Sequence, residues 1–426
     1  MSSCPLTFAA IGCGGRVQTY SKGAALMPDR YQVVAAADPN PARLKLMRDI
    51  VPGELRTFAD DRELFAAGRL ADIVMIGTQD AYHVQPCIEA MRLGYDVLLE
   101  KPIATNFREV MQLEQEAARL GRRVLVCHVL RYTPLYTKVK SLLEAGVIGQ
   151  MVTINAVEGV APFHQAHSFV RGHWSVVEKS SPMIIAKCCH DLDIVSWLVD
   201  AKCESVSSFG SLSHFNAANA PAGAPARCTD GCPVAGQCFY DAHRYLTDQR
   251  NWLQWVFNGG VKASDDEVLD WLRTSPWGRC VYHCDNTAVD RQTVNMHFAN
   301  RVTGTLTMTA FDSGRYLEIR GTEGVLLAGT GVQRTSGHEI AVVNHRTEKP
   351  VYHDLEIIEG DYAGHGGGDH GLMSVLDAEW RKPNPADMRS SLQRSVESHA
   401  IGFAAEEARL NGSVVKLDEY IARHRS

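Results

Sequence analysis

Gly12-Cys13-Gly14-Gly15-Arg16-Val17 is the first group of residues whose spacing implies chemistry; it follows the apolar run Leu6–Ile11 and opens a helical pattern. Glycines in that place allow a tight turn and let the main chain approach a pyrophosphate. The helix start then offers unpaired N–H groups and a favourable dipole to the phosphates. The third position of this fingerprint is usually Gly or Ala; here it is Val17, which crowds the helix against its strand. Asp38 ends the second apolar run, somewhat further from Gly12 than the roughly 20 residues of the general rule. A carboxylate there accepts hydrogen bonds from ribose hydroxyls and repels a 2′-phosphate, so NAD is expected over NADP. The plainer reading is that Asp38 only starts the turn Asp38-Pro39-Asn40.

Two other clusters carry potential chemistry. Cys228-x3-Cys232-x5-Cys238 is followed by Cys280-x3-Cys284. Four of these five thiolates suffice for a tetrahedral zinc or an iron–sulfur cluster, although the spacing is not that of a standard zinc knuckle. Buried reduced thiols and a disulfide switch are the competing readings. The loop Tyr362-Ala-Gly-His365-Gly-Gly-Gly-Asp369-His370-Gly371 combines consecutive glycines with two histidines. Asp369 is expected to cap the helix that follows, which leaves His365 at a loop tip.

These groups need elements to hold them. Over residues 5–128, short apolar runs at Leu6–Ile11, 32–37, Ile73–Ile76, Asp96–Leu99 and 124–127 alternate with helical patterns at 84–93 and Phe107–Leu120. That alternation predicts a doubly wound parallel sheet covered on both faces, an N-terminal Rossmann domain over residues 1–128. From about residue 150 the strand-like runs lengthen and alternate, at 152–157, 294–298, 304–310 and 316–320. They predict a second α/β domain, 129–426, with a large open and mostly antiparallel sheet. Helical patterns at 191–198 and 390–409 flank it. Residues 214–284 read as an insertion, containing the five clustered cysteines, the aromatic residues Tyr245, Trp252 and Trp255, and a capping box at Ser264–Glu267.

At Glu100-Lys101-Pro102 the pattern resembles the Gfo/Idh/MocA oxidoreductases, the family of glucose–fructose oxidoreductase and inositol dehydrogenase. The resemblance extends through Gly77-Thr78 with His83, Arg131-Tyr-Thr-Pro134, Ile148-Gly149, His190-Asp-Leu-Asp193 and Gly321-Thr-Glu-Gly324. It implies reversible hydride transfer between a nicotinamide and a sugar or polyol carbon, and a sheet that serves as an oligomer interface. It further implies that Thr78, Gln79, His83, Glu100, Lys101 and Arg131 line the cofactor. By the same resemblance Lys101 hydrogen-bonds the reacting hydroxyl and His190 is its acid–base partner. Many members carry an aspartate four residues before that histidine. Here Ala186 stands there, followed by Lys187, a candidate replacement. Arg171, Trp174, Asp193, His365 and Asp369 are the candidate substrate contacts.

Three functions follow as expectations. The first is an NAD-dependent dehydrogenase acting on CH–OH groups of a sugar, polyol or sugar derivative. The second is an NAD-retaining glycoside hydrolase working by transient C3 oxidation and elimination, because similar Gly-His-Gly-Gly loops occur in such hydrolases; His365, His370 or Tyr362 would supply its extra base. The third is a non-catalytic NAD(H)-binding sensor whose cysteines respond to redox state. The chain has 43 basic and 49 acidic residues, a net charge of −6, and no basic stripe, which argues against a nucleic-acid partner. No run approaches the ~18 apolar residues of a membrane span, and the N-terminus lacks a basic and then apolar leader. A cytoplasmic location is therefore expected, and the resemblance implies a homo-oligomer, dimeric or tetrameric.

Overall fold

The computed structural model describes residues 4–355 and 364–425; Tyr362, a candidate base in the sequence, lies outside them. Six strands form the first sheet: β1 (Leu6–Ile11), β2 (Tyr31–Ala37), β3 (Arg56–Phe58), β4 (Ile73–Ile76), β5 (Asp96–Leu99) and β6 (Val124–Val126). Their order is β3-β2-β1-β4-β5-β6, and every pairing is parallel. The order reverses beside β1, so a crevice opens at the carboxyl ends of β1 and β4, where Gly12 and Gly77 follow directly. All four residues of β4 are buried, as a sheet covered by helices on both faces requires. The helix Phe107–Leu120 shows how these coverings are bounded. Asn106 accepts the Glu109 N–H at its start, and Gly121 closes it at φ +62°. β3 has only three residues, too few for an apolar run to mark it in the sequence.

The second sheet has nine strands: β7 (Met151–Val160), β8 (Cys203–Ser211), β9 (Arg291–Phe298), β10 (Thr303–Thr309), β11 (Ser313–Gly321), β12 (Gly324–Gly329), β13 (Ile340–Asn344), β14 (Pro350–His353) and β15 (Val414–Lys416). The order is β14-β13-β12-β11-β7-β10-β9-β8-β15, antiparallel except for β7 with β10. The helices Cys189–Val199 and Leu392–Asn411 cover one face. The other face is open. It carries a polar ladder, with Thr305 Oγ1 donating to Asn155 and Asn295 to Ser207, beside exposed Phe209 and Val414.

The segment between β8 and β9 folds as short helical turns around its own core of Tyr245, Leu253, Val268, Leu272 and Trp277. Ser264 and Glu267 form the expected capping box for the helix Asp265–Thr274. Among the described residues no helix is long and apolar enough to cross a membrane.

The metal expectation for Cys228, Cys232, Cys238, Cys280 and Cys284 is corrected. Cys228, Cys232, Cys238 and Cys280 line one small cavity of about 10 Å³. Among the described residues, however, no three His, Cys, Asp or Glu side chains are arranged to hold a metal ion. The surroundings explain why. The Arg171 guanidinium, already a cation, donates to Cys228 Sγ.

Candidate active site and dinucleotide cleft

The turn after β1 is built by two glycines with different roles. Gly12 has φ +77°, and a Cβ on it would lie 2.7 Å from the Thr78 amide nitrogen. At Gly14 a Cβ would meet only the Gly77 carbonyl, at 4.0 Å, so its surface is open toward the crevice. The helix Gly15–Ala25 begins there, and its first N–H groups have no intrahelical acceptor. Val17 at the third fingerprint position fits because its partner gives way: a Cβ on Gly77 would lie 2.7 Å from Val17 Cγ2. The Asp38 carboxylate is buried and accepts the Cys13 and Asn40 N–H groups, each at 2.8 Å. Its remaining lone pairs can still accept ribose hydroxyls. Arg43, unmarked in the sequence, stands 3.6 Å from Asp38. The Cys13 thiol is buried, and burial with Asp38 nearby pushes its pKa up to about 12.

Arg16 does not point along the crevice as a lone phosphate ligand. Its guanidinium bonds Glu100, Tyr20 and Asp369 and approaches His365 Nδ1 at 3.3 Å. It thereby ties the glycine turn to the Glu100-Lys101-Pro102 turn and to the glycine-rich loop. Burial would raise the Asp369 pKa, but the bonds from His365 and Arg16 hold it well below the usual carboxylate range. Asp369 sits inside the helix Gly368–Trp380, whose N-cap is Gly367, so the capping role expected for it is replaced by this ion pair. Glu100 receives Arg16, Tyr20 and the Lys101 N–H, which makes it a brace behind the cleft. His83 is a second brace: its Nδ1 bonds the Pro102 carbonyl at 2.7 Å. Thr78 donates to the Tyr82 carbonyl, and Gln79 precedes the turn Asp80–Tyr82.

At the nicotinamide end of such a cleft the structure brings together Lys101, His190 and His365. Lys101 Nζ donates to the Ala186 carbonyl at 3.5 Å, so the main chain occupies the place of the missing aspartate. His190 is buried at the start of the helix Cys189–Val199, and neither ring nitrogen has a partner. Burial, then the positive charge of Lys101, holds its pKa well below the ordinary value, so the uncharged ring is the resting form. Its ring lies 5.7 Å from that of His365, which has φ +54°. Trp174 donates from Nε1 to Asp80 at 2.9 Å. Lys187 reaches Glu158 Oε1 at 3.2 Å, and Arg315 bridges Glu158 and Asp191. Burial and the neighbouring Asp191 raise the Glu158 pKa despite those two cations.

Other candidates are engaged elsewhere. Arg131 and Asp193, expected at cofactor and substrate, are buried and paired with each other through two bonds of 2.6 and 2.7 Å. Arg171 is also buried, donating to the carbonyls of Arg279 and Tyr240. It anchors the inserted segment and is not open to substrate. Sequence reasoning missed Glu158, Arg315, Asp191, Asp80 and Arg43. Only Glu158 left a trace: an acid in the inward phase of a strand, two residues after buried Ala156.

The N-terminal model of an oxidoreductase family with an NAD-binding Rossmann fold matches residues 6–128, and the model of that family's C-terminal alpha/beta domain matches residues 140–417. The chain belongs to the Gfo/Idh/MocA oxidoreductase family. This oxidoreductase is similar to an inositol 2-dehydrogenase/D-chiro-inositol 3-dehydrogenase of Halalkalibacterium halodurans, 26% identical over 203 residues, 47% of this chain and 55% of that protein. It is also similar to a 1-carboxy-3-chloro-3,4-dihydroxycyclohexa-1,5-diene dehydrogenase of Comamonas testosteroni, 25% identical over 247 residues, 58% of this chain and 56% of that one. The chain spans about half the length of the curated relatives it matches. Among solved structures, scyllo-inositol dehydrogenase from Lactobacillus casei with NAD(H) and scyllo-inositol aligns at a TM-score of 0.64 and 16% identity, over 97% of this chain and 99% of that one. WlbA dehydrogenase from Chromobacterium violaceum with NADH and UDP-GlcNAcA aligns at 0.65 and 15%, over 98% and 97%. At such identities these two structures speak for the fold of the Gfo/Idh/MocA oxidoreductase.

Proposed function

We propose that this oxidoreductase transfers a hydride between NAD and a hydroxyl-bearing carbon of a sugar, polyol or sugar derivative. The observation that carries the reading is His190: a buried, neutral and unpartnered imidazole beside the Lys101 ammonium, at the end of a Rossmann crevice. The crevice suits the dinucleotide, with Gly14 bare toward it and buried Asp38 at the ribose end. When bound, NAD supplies the hydride acceptor. Lys101 donates to the reacting oxygen and favours its alkoxide character, while His190 takes the hydroxyl proton. Lys187 holds Glu158 at the site's edge and orients it. Trp174, fixed by Asp80, and His365 form the walls that a polyol would contact. Asp38 favours NAD over NADP, and Arg43 softens that preference. The open face of the nine-stranded sheet is offered to a second copy of the chain, giving a homo-oligomer.

Glycoside hydrolysis with retained NAD is the second reading, favoured by the approach of His365 to His190, which places two bases in one site. A polyol and sugar panel with NAD, run beside an aryl-glycoside assay, separates the two. In the dehydrogenase reading, Lys101→Met and His190→Ala each lower turnover by about 10²-fold, the usual loss for a general acid–base group. Unchanged turnover in both variants would remove their assignment.

A further inference from the structure

The inserted segment reaches the dinucleotide crevice. Trp255, on the helical turn Leu253–Val256, lies against the glycine turn: a Cβ on Gly15 would sit 2.2 Å from Trp255 Cζ3. Gly15 opens the helix whose free N–H groups face the pyrophosphate position. Trp255 is a large apolar side chain left 55% exposed, although its neighbour Leu253 is fully buried in the insertion's core. Trp252 packs on His164 and His167 with ring centroids 4.8 and 4.7 Å apart. Arg250 pairs with Asp265 across the same segment. The turn therefore projects from a packed unit, and its position over Gly15 is fixed by that packing.

The crevice is crossed at a second point, where Trp174 bonds Asp80 just beyond β4. The two crossings fall at Gly15 and at Asp80, which correspond to pyrophosphate and nicotinamide in a dinucleotide laid along a Rossmann crevice.

We propose that Trp255 and the inserted segment form the outer wall of the dinucleotide site, so that the cofactor leaves only when this segment lifts. The inference rests on the crevice being a nicotinamide dinucleotide site. It gives the insertion a binding role, in which the indole covers the pyrophosphate from solvent while the helix start holds it from below. Enclosure slows exchange in both directions and favours turnover with a resident cofactor.

The full chain is used throughout the experiment. NADH is bound and then chased with excess NAD, and its release is followed by stopped-flow fluorescence for wild type and for Trp255→Ala. Release is expected to quicken at least about tenfold, the usual consequence of truncating a tryptophan at the centre of a contact. In parallel, tryptic cleavage of the wild type after Arg250 and Lys262 is compared with and without NADH, a readout independent of how the variant folds. Protection by NADH is expected. Release within about twofold of wild type together with unchanged cleavage overturns the wall and leaves the dinucleotide reading standing. Failure of the wild type to bind NADH overturns both.

Discussion

Acidification should destabilise this protein well above the pH at which carboxylates titrate. Burial, with the Arg171 and His173 charges, pushes His167 down to about 3, and burial, with His128 beside it, pushes His399 down to about 3, from an ordinary 6.5. Geometry agrees for His399, whose Nε2 accepts the Ile103 N–H while Nδ1 faces the Ser395 carbonyl. A proton on Nε2 would set donor against donor. Folded-state values below the unfolded value mean that the unfolded chain binds more protons, so stability is complete above about pH 6.5 and falls as pH drops toward the folded values. Two such groups give a slope approaching ~2.7 kcal/mol per pH unit, and a loss of about 4 kcal/mol by about pH 5. For a chain of this length that corresponds to a fall in Tm of roughly 5 °C. His128, His164 and His190 are shifted the same way and add to it. Thermal melts between about pH 8 and 5 measure the loss, and His399→Gln should return about half of the part assigned to the two histidines. A Tm that stays level to about pH 5 would refute the argument.

The remaining predictions are structural or kinetic. Gly77→Ala should cost about 1–3 kcal/mol through its clash with Val17, and adding Val17→Ala should recover most of it; additive losses in melts of the wild type and the three variants would contradict that packing. Arg131→Met should cost roughly 3–5 kcal/mol because it strands the buried Asp193 carboxylate, with NADH affinity unchanged in the folded protein; weakened affinity at full stability would return Arg131 to the cofactor site. Glu158→Gln should lower turnover more than substrate affinity and alter the pH profile, since it releases Lys187 and Arg315; an unaltered profile would make Glu158 a packing residue only.

Most of the first sheet was legible because four of its strands are apolar runs followed by a glycine or a charged residue at the crevice, as in Leu6–Ile11 before Gly12 and Asp96–Leu99 before Glu100. The glycine turn and Asp38 were legible for the same reason: local backbone demands leave local residue signatures. The engagement of Arg131, Asp193 and Arg171 was not legible because their partners lie far away in sequence, and a charged residue has the same appearance whether a carboxylate or a ligand answers it. The cysteines were misread because spacing along the chain does not record how the side chains are arranged or that a cation already donates to Cys228. Arg315 and Trp255 escaped because their importance comes from pairing across elements, which no single segment displays, and Glu158 left only its inward phase on β7 as a trace.

Calorimetric titration of the purified protein, first freed of any bound dinucleotide, with NADH and, separately, NADPH addresses the central claim most directly. The expected result is close to one NADH per chain, weaker binding of NADPH, and loss of the preference in Asp38→Ala. No heat with either dinucleotide, confirmed by unchanged protein fluorescence, would contradict it.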